Sequence, residues 1–482
     1  MKNNVKKLLC AALSTAMIAG SIVLPMTASA ETTPIFDGDT VEQEWKFDFG
    51  AAGTDAEDGY TLVTPDTNYV TNKEYGFLGI DVDSYKLGNR LDGFGNQKGQ
   101  AIKLKAGGGT GLNDAIGSVG EDSFGNAGDV YYPTRFALKA DDEAYYRVRA
   151  TVTTLDTTKD AEISLYTERK HPIFTDTKVE AGQTKTVEFS VRPTPIYYEK
   201  SEPKGTIADG MVNVCVAGKN SAIASIEIQK VQEYPVFWVL GDSTVTDGNC
   251  SLPFFRLQNY TGVGTGLTKY LPRNYAMVNE GEGGLNAADN YHFNMVKDRI
   301  KAGDYLYVEY GHNHKSDGPT GYVSNLDKYY NACHSVGATL VIVSPIERIN
   351  TFTDGAYQHT LDGFATAGAK YVADKVTAGA TDIAYVDLNS YSLDFYNKIT
   401  TDNGGDSGAI KFYFQTAKGG GTDQTHPNDA GAENLAYEFV KAAKAVTDET
   451  QKAALAPVVN NFTDETPNLV STEITSLGSA PN

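Results

Sequence analysis

Cysteine is nearly absent: the 482 residues hold four, and one of them, Cys10, falls within the first thirty. The remaining Cys215, Cys250 and Cys333 allow one disulfide and leave one thiol, so a disulfide scaffold is excluded and the fold must be held by its core. Cys333 shares a helical stripe with Leu326, Tyr329, Tyr330 and Val336, which points to packing rather than reactivity. Long apolar runs are equally scarce. The one present, Leu8 to Met26, follows Lys2, Lys6 and Lys7 and precedes Ala28-Ser29-Ala30, so residues 1–30 are expected to be a cleaved secretory leader. No other stretch is long and apolar enough to span a bilayer. Positive charge is in deficit, with 41 Lys and Arg against 61 Asp and Glu and a net charge of −20. The leader carries three lysines and no acid, so its removal takes the charge to −23. Such a surface repels nucleic acid and anionic membrane, and neither is an expected partner. The chain reads as secreted and extracellular. Also missing is any Gly-x-Ser-x-Gly elbow, which argues against an ordinary α/β-hydrolase.

What is present divides the chain in two. Hydrophobic residues make up 41%, ample for real cores. From about Thr40 to Glu233 the apolar positions alternate: Trp45, Phe47 and Phe49; Tyr146, Val148, Ala150 and Val152; Ile163 and Leu165; Val187, Phe189 and Val191; Ile226 and Ile228. With Gly, Asp, Asn and Pro clusters between the runs and no convincing helix, residues 31–233 are expected to form an antiparallel β-sandwich or jelly roll. Tyr60, Tyr69, Tyr75, Tyr197 and Tyr198 could present rings to sugars or could simply fill the core. Gly107-Gly108-Gly109-Thr110-Gly111 lacks the Gly-Lys-Ser/Thr ending of a phosphate loop and reads as a flexible loop.

At Tyr234-Pro235 the rhythm changes to buried-type strands alternating with amphipathic helices. The strands are Val236 to Leu240, Asp304 to Tyr310, Thr339 to Ser344 and Ile383 to Leu388. Met295, Val296, Arg299 and Ile300 close one helix, and Leu435, Phe439 and Ala443 stripe the last. Residues 234–446 are therefore expected to be an α/β layer domain with a parallel sheet covered on both faces. Residues 447–482, rich in Thr, Asn, Pro and acids, read as a flexible tail or linker.

The strand ends carry the chemistry. Val236-Phe-Trp-Val-Leu-Gly-Asp-Ser-Thr-Val245 is a buried strand that breaks at Gly241 and presents Ser243 on a tight turn, where open α/β sheets place their ligands. A second strand, Ala276 to Asn279, runs into Glu280-Gly-Glu-Gly-Gly284, whose glycines leave backbone N–H groups free to face a ligand. A third ends Glu309-Tyr310-Gly311-His312-Asn313-His314. Asp423-Gln424-Thr425-His426-Pro427 precedes the final helix, with Asn428 placed to cap it. A serine hydroxyl needs a base to remove its proton and a third group to fix the base's tautomer. Ser243, His426 and Asp423 supply these three parts. The backbone N–H groups of Ser243 and Gly284 and the amide of Asn313 would stabilise an oxyanion, each such donor being worth about 3 kcal/mol in the transition state.

This combination resembles the SGNH (GDSL-like) hydrolase superfamily through Ser243, Gly284, Asn313 and His426. Within it the chain is most similar to the rhamnogalacturonan acetylesterase group, through Gly241-Asp-Ser-Thr244, Glu309-Tyr-Gly-His-Asn313 and Thr425-His-Pro-Asn-Asp-Ala-Gly-Ala432. The resemblance covers roughly 210 residues. It implies a flavodoxin-like three-layer αβα fold, no metal or other cofactor, and removal of acetyl groups from plant cell-wall polysaccharide or oligosaccharide, pectic or hemicellulosic, through an acetyl-enzyme. It casts Asp242, Thr244 and His312 as substrate contacts. The region around Trp45 to Phe77 resembles the galactose-binding-like sandwich fused to some of these esterases. The chain departs from the group at Leu285-Asn286-Ala287, where Arg-Ser is usual, and at His314, where Asp is common. Two other readings stand beside this one: a lipolytic or aryl esterase of the wider superfamily, and a carbohydrate-binding protein whose esterase-like part is retired. Gly405-Asp406-Ser407-Gly408 copies a nucleophile segment with no buried strand ahead of it and reads as a loop. His312-Asn-His314 has no third ligand nearby and is not a zinc motif. His171, His292, His334 and His359 show no partner in the sequence and default to surface or structural places.

Overall fold

Alternating apolar residues in the first half pair into two sheets, antiparallel but for one short parallel pair at an edge of the first. The computed structural model describes residues 33–72, 74–78, 103–118, 133–168, 170–197, 206–207, 210–247, 260–416 and 421–469. The expected leader, Tyr198 and Cys250 lie outside these residues. Strands β1 (Val41–Phe49), β2 (Thr61–Val63), β3 (Tyr75–Phe77), β4 (Leu104–Gly108), β5 (Asp114–Ser118), β6 (Thr134–Lys139), β7 (Tyr145–Thr154), β8 (Ala161–Thr167), β9 (His171–Val179), β10 (Thr184–Val191), β11 (Met211–Lys219) and β12 (Ser221–Val231) follow in chain order. One sheet is ordered β10-β7-β12-β1-β2, with β5 beside β12 and β4 beside β5; the other is β3-β6-β11-β8-β9. The inward residues of both sheets share one core, including Phe47 and Val148 from the first and Phe136, Leu165 and Val214 from the second. Tyr75 belongs to this core, packed on Phe47 with ring centroids 4.9 Å apart, and the Tyr60 hydroxyl donates to Glu227 at 2.6 Å. Gly107 and Gly108 lie in β4, which forms a hairpin with β5, so the expected flexible loop is ladder at these positions.

Between Val231 and Val236 the pairing turns from antiparallel to parallel. Strands β13 (Val236–Gly241), β14 (Ala276–Asn279), β15 (Tyr305–Glu309), β16 (Thr339–Val343) and β17 (Ile383–Val386) form a parallel sheet ordered β14-β13-β15-β16-β17. Its strands are apolar on both faces because both faces are covered. Phe237, Val239, Tyr307 and Val341 point to one side, where α1 (Val263–Leu267), α6 (Leu388–Asp402) and α7 (Asp429–Lys444) pack. Trp238, Leu240, Leu306 and Ile342 point to the other, against α2 (Tyr291–Lys297), α3 (Gly318–Val323), α4 (Leu326–Val336) and α5 (Asp362–Thr377). Cys333 is packed in this second core as a free thiol, and Cys215 is a second buried free thiol. Burial pushes the Cys215 thiol up to about 12 and raises Cys333 as well.

From Pro34 onward the contacts form one compact unit, so the antiparallel and parallel halves are joined. The Tyr234 hydroxyl bonds the carbonyls of Tyr146 (2.9 Å) and Val191 (2.7 Å), and the guanidinium groups of Arg192 and Arg299 both lie over the Trp238 ring.

The expected tail from residue 447 is corrected over its first part. Helix α8 (Glu449–Val459) is capped by Asp448, whose carboxylate accepts from Gln451 N at 3.0 Å. Leu455, Val458 and Phe462 are buried in the same core as α7, and Gln451 Oε1 accepts from Tyr385 N at 2.9 Å on edge strand β17. Within the helix only Leu455 and Val458 are buried, too short a stripe to stand out at helical spacing, and Pro457 between them obscured it further. Leu455→Ala is expected to destabilise the protein by about 2–4 kcal/mol, as for a buried leucine that leaves a cavity. Denaturant unfolding checks this; a cost near zero would return the segment to a solvated tail.

Candidate active site

Strand β13 ends where a side chain no longer fits. A Cβ on Gly241 would lie 2.4 Å from Val245 Cγ2 and 2.5 Å from the Glu309 carbonyl oxygen, so only glycine permits the turn to close against β15. The turn is held by Val245 N donating to Asp242 O (3.2 Å) and by Thr244 N donating to Asp242 Oδ1 (3.0 Å). Such a turn sends successive side chains to opposite sides. Ser243 is half-buried and faces outward, whereas Asp242 and Thr244 are wholly buried.

On the outward side the three expected groups meet. His426 Nε2 lies 2.9 Å from Ser243 Oγ, and His426 Nδ1 lies 2.9 Å from Asp423 Oδ2. The other Asp423 oxygen accepts from the backbone N–H groups of Thr425 (2.8 Å) and His426 (2.9 Å). Burial alone would raise the Asp423 carboxyl. The ring and backbone hydrogen bonds outweigh it and hold the group at about 2, so it stays ionised and keeps the imidazole proton on Nδ1. That leaves Nε2 as an acceptor for the serine hydroxyl. Asn428 caps α7 as expected, accepting from Gly431 N at 2.9 Å, and fixes the chain just beyond His426.

The glycine loop after β14 runs beside the nucleophile: a Cβ on Gly283 would lie 3.7 Å from Ser243 Cβ. Gly284 has φ of 82°, a left-handed conformation that suits glycine, at the tip of the loop after β14. This loop continues the parallel pairing through Glu280 N to Val239 O (2.9 Å) and Glu282 N to Gly241 O (3.1 Å). Neither the Ser243 nor the Gly284 N–H donates to a protein acceptor among the described residues. Asn313 Nδ2 donates to Leu285 O at 2.9 Å, and its amide carries a second N–H. The two sequence departures meet each other here. Ala287 N donates to His314 Nε2 (2.9 Å), which puts the His314 proton on Nδ1, where Asp317 accepts it at 3.0 Å. Asn313 and His314 thus tie the Gly284 loop to the β15 loop.

The three residues cast as substrate contacts are corrected. Asp242, Thr244 and His312 are all buried. The Thr244 hydroxyl bonds Asp242 Oδ1 (2.9 Å) and lies 3.2 Å from Glu309 Oε1, so this pair braces the nucleophile turn from behind. The ring of His312 accepts from Arg348 Nε at 3.4 Å, its Nε2 is enclosed, and burial lowers its pKa, so it is neutral. Asp242 and Thr244 flank Ser243 but point away from it into the interior, and His312 is enclosed in the loop after β15.

Sequence reasoning missed Tyr260. Its hydroxyl donates to the Ser243 carbonyl, and its ring lies edge-on to His426 with centroids 4.9 Å apart. No local pattern marks it. It missed as well that Glu309 lies buried behind the turn, bonded to Tyr307 and Thr244. Of the unassigned histidines, His171 is buried on Asp247, His292 bonds the Glu280 carbonyl, His334 pairs with Asp382 and His359 with Asn389. Asp406 caps a short helical turn by accepting from Gly408 N at 2.8 Å, so Ser407 opens that turn instead of ending a buried strand.

No protein-family profile and no curated protein matches the chain. Among solved structures it is similar to a Bacillus subtilis protein determined by structural genomics, at 18% identity, covering 83% of this chain and 98% of that one, with a TM-score of 0.39. It is also similar to an acetylxylan esterase of Geobacillus stearothermophilus (14% identity, 43% and 93% covered, TM-score 0.30) and to a lipase/acylhydrolase of Enterococcus faecalis (13% identity, 44% and 96% covered, TM-score 0.28). At these scores the likenesses carry no argument, and the chemistry has to be read from the site's own geometry.

Glu309 gives this site a signature in pH. Burial first, and then the field of Asp242, push its carboxyl from near 4.5 up to about 8. Between those values the folded protein holds a proton that the unfolded chain has released, so stability falls as pH rises from about 4.5 and levels off above about 8. Glu309→Gln removes this dependence, and its stability relative to the wild type is expected to climb across that window. Unfolding titrations from pH 5 to 9 measure it; a difference that stays constant contradicts the buried protonated carboxyl.

Proposed function

We propose that the chain is a secreted SGNH-type serine esterase that removes acetyl groups from polysaccharide or oligosaccharide. The observation that carries the reading is the relay Ser243 Oγ to His426 Nε2 to Asp423 Oδ2, both steps at 2.9 Å, with the Ser243 backbone N–H unengaged among the described residues. The strand order β14-β13-β15-β16-β17 agrees with a flavodoxin-like sheet, whose ligand crevice lies at the switch point between β13 and β15. The two-sheet half agrees with a galactose-binding-like jelly roll, and residues 1–30 with a cleaved leader.

In the proposed reaction Ser243 Oγ attacks the acetyl carbonyl carbon while its proton passes to His426 Nε2, and the ionised Asp423 balances the imidazolium. The carbonyl oxygen becomes an oxyanion facing Ser243 N, Gly284 N and Asn313 Nδ2. Collapse breaks the bond to the sugar oxygen, which takes the proton from Nε2 and leaves as the alcohol. Water then gives its proton to Nε2 and attacks the acetyl-enzyme, releasing acetate and restoring Ser243. Asp423 at about 2 keeps the relay charged far below neutrality.

Ser243→Ala is expected to abolish acetate release from acetylated polysaccharides with the fold intact. Asp423→Asn is expected to slow it by about four orders of magnitude, through the wrong histidine tautomer. A panel of acetylated pectin, acetylated xylan and a long-chain p-nitrophenyl ester reads the substrate class. Preference for the long-chain ester would replace the carbohydrate reading with a lipolytic one. Wild-type turnover in Ser243→Ala would overturn the mechanism.

A further inference from the structure

At the start of β9 the antiparallel half carries Lys170 and His171, and both are buried against the loops behind the nucleophile. A buried ammonium is costly unless its three donors are matched. For Lys170 every acceptor comes from the other half of the chain: Asp429 Oδ1 at 2.9 Å, the Thr261 hydroxyl, and the Tyr260 carbonyl at 3.4 Å. Thr261 also bonds Asp429, and its N–H donates to the Pro427 carbonyl at 3.1 Å, one residue past His426. Tyr260 is the residue whose hydroxyl holds the Ser243 carbonyl and whose ring edge packs on His426.

His171 grips a second point. Its Nε2 lies 2.9 Å from Asp247 Oδ1, which also accepts from Thr265 Oγ1 and Asn279 Nδ2 at 2.9 Å each. Asn279 in turn donates to the Val245 carbonyl (2.7 Å) and accepts from Gly281 N (3.0 Å), so one side-chain network joins the nucleophile turn to the Gly284 loop. The backbone that delivers these side chains is bent to do so. Glu168 and Lys170 take φ of 46° and 59°, a left-handed region that residues with a Cβ seldom occupy, and Lys170 N donates back to Glu168 O at 2.8 Å. Strain of this kind persists where surrounding contacts over-determine it, and it clusters at functional sites.

We infer that Lys170 is a positioning residue of the active site, and that the antiparallel half is a working part of the catalytic apparatus rather than an appended module. Lys170 fixes the Tyr260–Thr261 segment between Ser243 and His426, while His171 fixes Asp247 on the chain that follows the nucleophile turn. The inference rests on the serine-esterase reading, since it assigns Lys170 an effect on Ser243 and His426 and no contact with substrate.

The test uses the full chain with p-nitrophenyl acetate as substrate and a small fluorophosphonate that labels the nucleophilic serine. Lys170→Met is expected to lower kcat on the order of tenfold to a hundredfold through misplacement of the base, with KM nearly unchanged. The fluorophosphonate labelling rate should fall in parallel. Thr261→Val, close to isosteric, breaks the same contact from the opposite side and should give the same loss, and the double variant should be no worse than either single one. Lys178→Met, at an exposed position of the same strand where Lys178 pairs with Asp160, should match the wild type. Folded Lys170→Met with wild-type kcat and labelling overturns the proposal; if that variant does not fold, Thr261→Val with wild-type values overturns it. A wild type that hydrolyses no ester defeats the functional reading instead, and the labelling rates of Ser243 still decide the positioning role.

Discussion

The hydrogen bond between Ser243 and His426 joins residues 183 positions apart, and much of the fold can be understood as holding its two ends still. The serine end is set by β13, buried between β14 and β15 and stopped at Gly241 because no Cβ fits there. The histidine end is set by Asn428, whose side chain caps α7 and bonds the Phe412 carbonyl at 2.8 Å, while its N–H reaches the Tyr413 carbonyl at 3.1 Å. A misplacement of about 1 Å between such groups can cost a hundredfold in rate, so both ends need rigid supports.

Two carboxyls near the carboxyl ends of these strands show how environment alone decides ionisation. Asp423 is partly exposed and accepts three hydrogen bonds, which keep it charged. Glu309 is fully enclosed beside Asp242 and is pushed the other way. The first balances a developing imidazolium; the second, in its protonated form, lets two acids sit behind the nucleophile turn without two buried charges. The charge that the chemistry requires is placed at the rim, where water still helps to support it.

The sequence showed what is local. Five consecutive apolar residues before Gly241 marked a strand buried on both faces, and the polar residues at the ends of β13, β14 and β15, with those before the last long helix, marked the loops that converge. Asp423 and His426 were legible because three residues of spacing suffice to bring a carboxylate to Nδ1. Less legible was anything decided by which side of a turn a residue faces: Asp242 and Thr244 flank Ser243 yet point inward. Contacts made across the two halves were not legible at all. Lys170 and Asp429 are 259 positions apart, and neither carries a local mark of the other. Helix α8 escaped because its two buried residues, Leu455 and Val458, give too weak a periodicity and Pro457 stands between them, although its packing on β17 is plain in the fold.

The central claim is that one hydroxyl becomes covalently acylated. Rapid quenching after mixing the protein with an activated acetyl ester, followed by mass spectrometry of the peptides, tests it most directly. The account predicts a single added acetyl group on the peptide containing Ser243, accumulating before steady state and absent in Ser243→Ala. Turnover with no acetyl adduct, or with the adduct on another residue, would contradict it.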